Sequence, residues 1–380
     1  MEDVFITDIE IKKLRHLENI HIELSKTERR HLILTGKNGS GKTSLLDALR
    51  DYFEFNVINA DQKLSNRVIE YLYPNTFNII VNFIGNGIQL YLPFHSGELI
   101  IAYFDSKRLS SLIKPEGLKK IETRETYLPT EHANENFLQY IVNLKADRSF
   151  AKDEGNNGKA KEIDLWFENF DTCLKEIFGE SFEKLEFDSK NYTFNIIEKG
   201  KEKFDFNTLA DGFSSIMSIV SELIMRMENK SAKNYNIQGI VFIDEIEAHL
   251  HIELQKKILP FLTAFFPKIQ FIVSTHSPFV LSSIENAVVY DLEKKMQVED
   301  LSGYSVDAII ESYFDSDKYS TVIKKKLEEY ECFLNKKDLT DAEQTEFDDL
   351  EDYLKGLPKT LSPELDIKYN QLLLQKHSGK

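Results

Sequence analysis

Three stretches carry residue types able to act on phosphate. The first is Gly36-Lys37-Asn38-Gly39-Ser40-Gly41-Lys42-Thr43. Its glycines let the backbone turn sharply and set N–H groups against phosphate oxygens. The apolar run 31–35 precedes it, and a segment with Leu45, Leu46, Leu49 and Phe53 at helical spacing follows. A strand before and a helix after are the context that a G-x-x-x-x-G-K-[ST] loop requires. The positive end of that helix faces the anion. Lys42 then reaches outer phosphates, the amides up to Ser44 line the rest, and the Thr43 hydroxyl ligates Mg²⁺. The second stretch is "GIVFIDE", 239–245. Asp244 ends a buried run, where a carboxylate is costly unless something ligates it. It suits the same metal, and Glu245 suits a general base that orients or deprotonates a water. The third, "FIVSTHSPFV", sets His276 at the end of another buried strand, where an imidazole could touch a terminal phosphate.

These residues need a scaffold that brings strand ends together. Residues 4–11 and 20–24 alternate apolar and polar and predict two half-buried strands joined by Lys12 to Asn19. Residues 77–84 and 88–94 predict a hairpin around Gly85-Asn86-Gly87. Further strands are expected at 98–104, 239–244, 270–275 and 287–293, and a hairpin at 191–206 around Gly200. Residues 107–160 read as mixed and polar, with a surface loop at "DEGNNGK". A stripe from Ile163 through Trp166 and Phe170 to Phe178 predicts a packing helix, and 214–227 predicts another. Strands alternating with helices give the fold class α/β. After about residue 300 the pattern turns helical, and Asp338 to Asp352 holds eight acids and no base. Such a run suits a solvated face, or a docking surface for a basic partner.

Bulk properties narrow the classes. The 380 residues carry 27 Phe and 16 Tyr, which favours a packed core over disorder. A net charge of −16 argues against an overall basic nucleic-acid binder, although a local basic groove remains compatible with it. No secretory signal or membrane span is expected. Cys173 and Cys332 have no metal-type or redox-type spacing, so a cytoplasmic protein with reduced thiols is expected. His249 and His251 form an H-x-H pair, but two residues apart on a helix they would point away from each other.

The three motifs, in this order, resemble the ATP-binding-cassette ATPases, a P-loop fold of mixed and parallel sheet with flanking helices. The closer resemblance is to the soluble branch containing RecF, the structural-maintenance-of-chromosomes heads and the overcoming-lysogenization-defect ATPases. "DEIEAHLH", 244–251, is similar to that branch's extended Walker B and D-loop, and "STHSP", 274–278, to its H-loop. "KKLRHLENIHIEL", 12–24, resembles its N-terminal hairpin, which implies that Arg15 reaches the nucleotide phosphates. "LADGFSSIM", 209–217, stands where the family's signature lies, implying that Leu209, Asp211, Gly212 and Ser214 close over ATP held by another subunit. Ala210 replaces the serine usual there; the loss of one hydrogen bond to a charged group, about 1.5–3 kcal/mol, implies a weaker closure or a larger share for Ser214 and the helix terminus. The family also implies a polar contact to Mg²⁺ from a strand end, for which Arg108 in "YFDSKRLS" is a candidate.

The resemblance implies an ATPase head at 1–300 with an insertion at about 107–190, and a helical acidic region at 301–380. It implies ATP and Mg²⁺ as cofactors and head-to-head pairing around ATP in a homodimer or larger homo-oligomer. A zinc-nuclease pattern is not found, and "FDSDKY", 314–319, holds D-x-D without the strand that a Toprim site needs. No long heptad region or transporter-type signature is found either. The chain therefore resembles ATPase subunits of anti-phage systems such as Septu and PARIS, which implies a sensor or scaffold controlling a separately encoded nuclease. Two alternatives stand beside it: a RecF-like repair ATPase on duplex DNA, and an ATP-locked scaffold with negligible turnover.

Overall fold

The computed structural model describes residues 3–58, 78–84, 90–108, 112–122, 124–228, 235–313, 321–336, 339–356 and 369–374. The chain divides into two compact units, 1–306 and 307–380. In chain order the strands of the first unit are β1 (Ile6–Leu14), β2 (Leu17–Glu23), β3 (His31–Thr35), β4 (Ile79–Phe83), β5 (Leu99–Phe104) and β6 (Phe182–Asp188). They continue as β7 (Thr193–Glu198), β8 (Phe204–Asp205), β9 (Gln238–Ile243), β10 (Ile269–Ser274), β11 (Ala287–Asp291) and β12 (Met296–Val298). Its main helices are α1 (Lys42–Ile58), α2 (Tyr91–His95), α3 (Phe137–Asp153), α4 (Asn157–Phe178), α5 (Asp211–Met227), α6 (Ile252–Phe265) and α7 (Pro278–Leu281).

The central sheet has the order β12-β11-β3-β10-β9-β5, parallel throughout except for β12. Every residue of β3, β9, β10 and β11 is buried, because a parallel sheet is covered on both faces. Two glutamines break the apolar runs and have partners. Gln270 accepts from the Ile6 amide (2.7 Å) and donates to the Ile6 and Arg30 carbonyls, while Gln238 accepts from the Val4 amide (2.8 Å). The chain entering β1 is thereby tied to the central sheet. An antiparallel sheet β2-β1-β4 packs its apolar face with α1 against the central sheet, through Ile9, Ile22, Leu46, Phe53, Phe242 and Ile272. The fold is therefore α/β, of mixed and parallel sheet with flanking helices, as expected.

Several elements differ from the expectation. β1 and β2 extend to Leu14 and from Leu17, leaving only Arg15 and His16 as the turn. β4 pairs with β1, and residues 91–95 form helix α2 rather than its hairpin partner. The expected turn at Gly85-Asn86-Gly87 lies outside the described residues. α3 occupies part of the stretch read as irregular; Phe137 to Val142 are all buried, so it shows no stripe. The Gly200 hairpin exists as β7–β8, but the longer partner of β7 is β6.

In the second unit, α8 (Thr321–Leu334), α9 (Asp341–Lys355) and a helical segment at 369–374 share a core of Leu327, Tyr330, Phe347, Leu350, Leu354 and Tyr369. Thr340 and Glu343 form a capping box at the start of α9. The acids Asp341, Glu346, Asp348, Asp349 and Asp352 are exposed. The D-x-D at 315–317 lies outside the described residues.

Candidate active site

Parallel strands open their carboxyl ends at one edge, and the loops there collect the polar groups. β3 leads into the phosphate loop, β9 into Asp244, β10 into His276 and β5 into Asp105.

Lys42 is buried, and its Nζ donates to the carbonyls of Gly36 (2.7 Å) and Lys37 (3.2 Å). Burial lowers its pKa, while Asp244, Glu245, Glu247 and Asp291 pull it upward. Lys37, Asn38 and Gly39 are exposed, Ser40 is buried and Ser44 half-buried. Lys37 Nζ donates to Glu293 Oε1 at 2.8 Å. Gly41 has a φ of +100°, and a Cβ there would lie 2.9 Å from Leu17 Cδ1. The β1–β2 turn thus packs directly on the loop. His16 Nε2 lies 3.1 Å from the Ser40 carbonyl; a carbonyl only accepts, so the ring donates. Arg15 sits on the same turn, exposed, with a φ of +55°.

Asp244 is buried and fully engaged. Thr43 Oγ1 donates to its Oδ2 at 2.9 Å and Ser274 Oγ to its Oδ1 at 2.5 Å. The same Ser274 hydroxyl accepts from the Glu245 amide at 2.8 Å. A hydroxyl beside a carboxylate is a set of hard oxygen donors, which fits Mg²⁺. Glu245 has a φ of +45°, a conformation unusual for a residue with a Cβ. What holds it there is Arg108, whose Nη atoms donate to the carbonyls of Asp105, Asp244, Glu245 and Ile246 at 2.7–3.1 Å. Arg108 is therefore not the metal-facing group expected of it: its Nη donors are spent on the main chain. Burial lowers its pKa to about 10, against the upward pull of Glu247, Asp105, Asp244 and Glu245. A cavity of about 620 Å³ opens beside it, lined among others by Thr43, Asp47, Arg50, Tyr103 and Asp244.

His276 is half-buried, and its amide donates to Glu247 Oε1 at 2.5 Å. Burial and then the nearby Lys42 lower the imidazole pKa, opposed by Glu247, Glu245 and Asp244.

Helix α5 begins at Asp211, with Ala210 as an N-cap that makes no side-chain bond. Ala210 and Asp211 are exposed, Leu209 is half-buried, and Gly212 and Ser214 are buried. A Cβ on Gly212 would lie 2.9 Å from the His249 carbonyl. The segment 209–214 is thus seated on the turn that follows Asp244 in its own chain. His249 lies in that turn, with a φ of +66°, and His251 is the N-cap of α6. They are not on a shared helix face, contrary to the premise of the spacing argument.

Ser274, Glu247 and His16 are the residues that sequence reasoning missed. Ser274 and His16 lie inside or beside stretches already singled out, yet serine and histidine at such points carry no distinctive spacing.

Comparison with known proteins gives consistent relatives. A family model described as "AAA domain, putative AbiEii toxin, Type IV TA system" matches residues 122–282. Septu protein PtuA of Bacillus mycoides (strain KBAB4) is 26% identical over 93% of this chain and 51% of its own length. "Retron Vc95 probable ATPase" of Vibrio cholerae serotype O1 biovar El Tor is 44% identical over 92 residues, 23% of this chain and 18% of that protein. The chain thus spans about half the length of the first relative, and less of the second. A solved structure, "Crystal structure of the SmcHead bound to the C-winged helix domain of ScpA", aligns over 77% of this chain and 96% of that one, with a TM-score of 0.42 and 13% identity. The chain resembles Septu PtuA and retron ATPases, in keeping with the resemblance its motifs carry.

Proposed function

We propose that this chain binds ATP with Mg²⁺ at the 36–44 loop, hydrolyses it, and pairs with a second copy around the nucleotide. The observation that carries the reading is the meeting of Thr43 and Asp244, 201 residues apart, at 2.9 Å beside Lys42. Thr43 and Asp244 would hold Mg²⁺, which would supply charge neutralisation for the outer phosphates. Lys42 leaves the Gly36 and Lys37 carbonyls to meet them, and the amides of the loop line the remaining oxygens. Glu245 orients the attacking water and takes its proton. His276 donates a hydrogen bond to the terminal phosphate, and Arg15 approaches from the β1–β2 turn. Leu209, Asp211, Gly212 and Ser214 of one copy close over ATP held by the other, using the positive end of α5.

The likeness to Septu PtuA supports a role in anti-phage defence, as a sensor and scaffold for a separately encoded nuclease. The 1–300 region would be the ATPase head, and the acids of 338–352 would offer a surface to a basic partner. Molecular mass measured with and without ATP·Mg²⁺ tests the core of this reading. The parent is expected to pair only with nucleotide, and Lys42→Ala to stay single. Calorimetry showing no heat with adenine nucleotides on folded protein would remove it. Ala210 favours one second reading, an ATP-locked scaffold. A parent that holds ATP but releases no phosphate, and matches Glu245→Gln in that, selects the scaffold over the motor.

A further inference from the structure

The turn after β9 is joined to the end of β10 and the loop that follows by the Ser274 Oγ–Asp244 bond and by three further ties. The Glu245 amide donates to Ser274 Oγ (2.8 Å), the Ile246 amide to the Ser274 carbonyl (3.0 Å), and the His276 amide to Glu247 Oε1 (2.5 Å). The first two ties end at Ser274. Among these ties only the one to Glu247 reaches His276. The second oxygen of that carboxylate, Oε2, is buried with no hydrogen-bond partner among the described residues. A buried carboxylate oxygen without a donor is costly, so this side chain is placed by what its other oxygen holds. Its charge is also central. Of the acids acting on Arg108 and on His276, Glu247 exerts the largest pull, and it acts on Lys42 as well.

We propose that Glu247 is a positioning residue for the terminal-phosphate end of the site, locking the loop that carries His276 to the turn that carries Glu245. The proposal rests on the nucleotide reading above and adds a residue to it. Without the amide tie, the loop that carries His276 is no longer fixed to the Glu245 turn, while the hydrogen bonds of Lys42 to the Gly36 and Lys37 carbonyls do not involve Glu247. The third phosphate should feel the loss and the first two should not.

The test is equilibrium binding of fluorescent ATP and ADP analogues, with Mg²⁺, to the full chain and to two variants. Glu247→Ala is expected to weaken ATP by about tenfold, with ADP held within about twofold. Glu247→Gln keeps an acceptor for the His276 amide and should hold ATP within about threefold of the parent. A Glu247→Ala protein with the parent's ATP-to-ADP ratio overturns the proposal. Should the alanine variant lose both nucleotides, the glutamine variant decides: the parental ratio supports the amide tie, and a tenfold lower ratio overturns it. A parent that binds neither nucleotide fails differently, since it removes the phosphate site itself.

Discussion

Among the described residues, two buried arginines hold the main chain, and they are neutralised in opposite ways. Arg226 on α5 donates to the carbonyls of Ile101, Tyr127, Leu128 and Glu131, and its Nε donates to Glu222 Oε1 at 2.7 Å. Glu222 in turn accepts from the amides of Ala133 and Asn134 at 2.9–3.0 Å. Both side chains are 3% exposed, so the pair and its backbone partners form a closed unit. Arg108 also donates to four carbonyls, yet its Nε has no partner among the described residues and no carboxylate touches its Nη atoms in those bonds. The acids that balance it, Glu247, Asp105, Asp244 and Glu245, act from a distance. The difference has a chemical reason. A carboxylate held in a salt bridge offers a ligand less of its charge and fewer free acceptor sites. Around Arg108 the cation grips carbonyl oxygens instead, so these bonds tie up neither the Asp244 nor the Glu245 carboxylate. Arg226 instead has its own dedicated acid, although Glu222 lines the same cavity as Arg108 and Asp244.

The largest effect is expected from breaking the closed unit. Glu222→Ala would strand a buried guanidinium and two buried amides, and should cost about 3–5 kcal/mol of folding stability. Denaturant unfolding measures it. The double variant Glu222→Leu with Arg226→Met should cost less than the sum of the two single changes, because the stranded charge is gone. A loss below about 1 kcal/mol for Glu222→Ala would mean that the charge is solvated or screened, and the comparison with Arg108 would lose its basis.

Arg108→Lys is expected to separate the two clamps by kind of effect. Lysine keeps the charge but cannot span four carbonyls, because its ammonium lacks the guanidinium's fixed fork. Unfolding stability should fall by about 1 kcal/mol, whereas ATP turnover should fall about 10–100-fold as the Glu245 turn relaxes. Steady-state turnover alongside urea unfolding reads both. Equal losses in the two measurements would make Arg108 a structural clamp of the Arg226 kind.

How far the sequence discloses these features depends on how local they are. The 36–43 loop is legible because its strand, glycines, lysine and helix are contiguous. Asp244 is legible because an apolar run that ends in an acid needs a reason. Ser274, 30 residues from its acceptor Asp244, and Arg108, 136 from the same residue's carbonyl, lie in stretches the sequence singles out, but nothing local discloses which atoms they bond. The hairpin expected at 88–94 shows the opposite error. A local turn signal pointed to a partner, but β4 found β1 from about 70 residues away, because a half-buried strand takes whichever edge buries its apolar face. α3 was hidden by burial on nearly all sides over Phe137–Val142, which erases the helical stripe that made α4 readable.

The smallest effect concerns the other end of the helix that carries Arg226. There α5 starts without a side-chain cap: Ala210 is exposed, with φ −60° and ψ 150°, a conformation suited to a capping serine. Ala210→Ser places a hydroxyl where it can accept from the amides of Gly212 or Phe213. Without nucleotide, this should raise unfolding stability by about 1 kcal/mol. With ATP·Mg²⁺, the resemblance adds a second consequence, since the hydroxyl could also reach a phosphate held by the other copy. The two are separable. Unfolding in the absence of nucleotide reads the cap alone, and the dissociation constant of the ATP-bound pair, corrected for that gain, reads the contact across the pair. A serine that stabilises the free chain but leaves pairing unchanged makes Ala210 a matter of helix capping. One that tightens pairing by more than the capping gain makes the alanine a weakened closure.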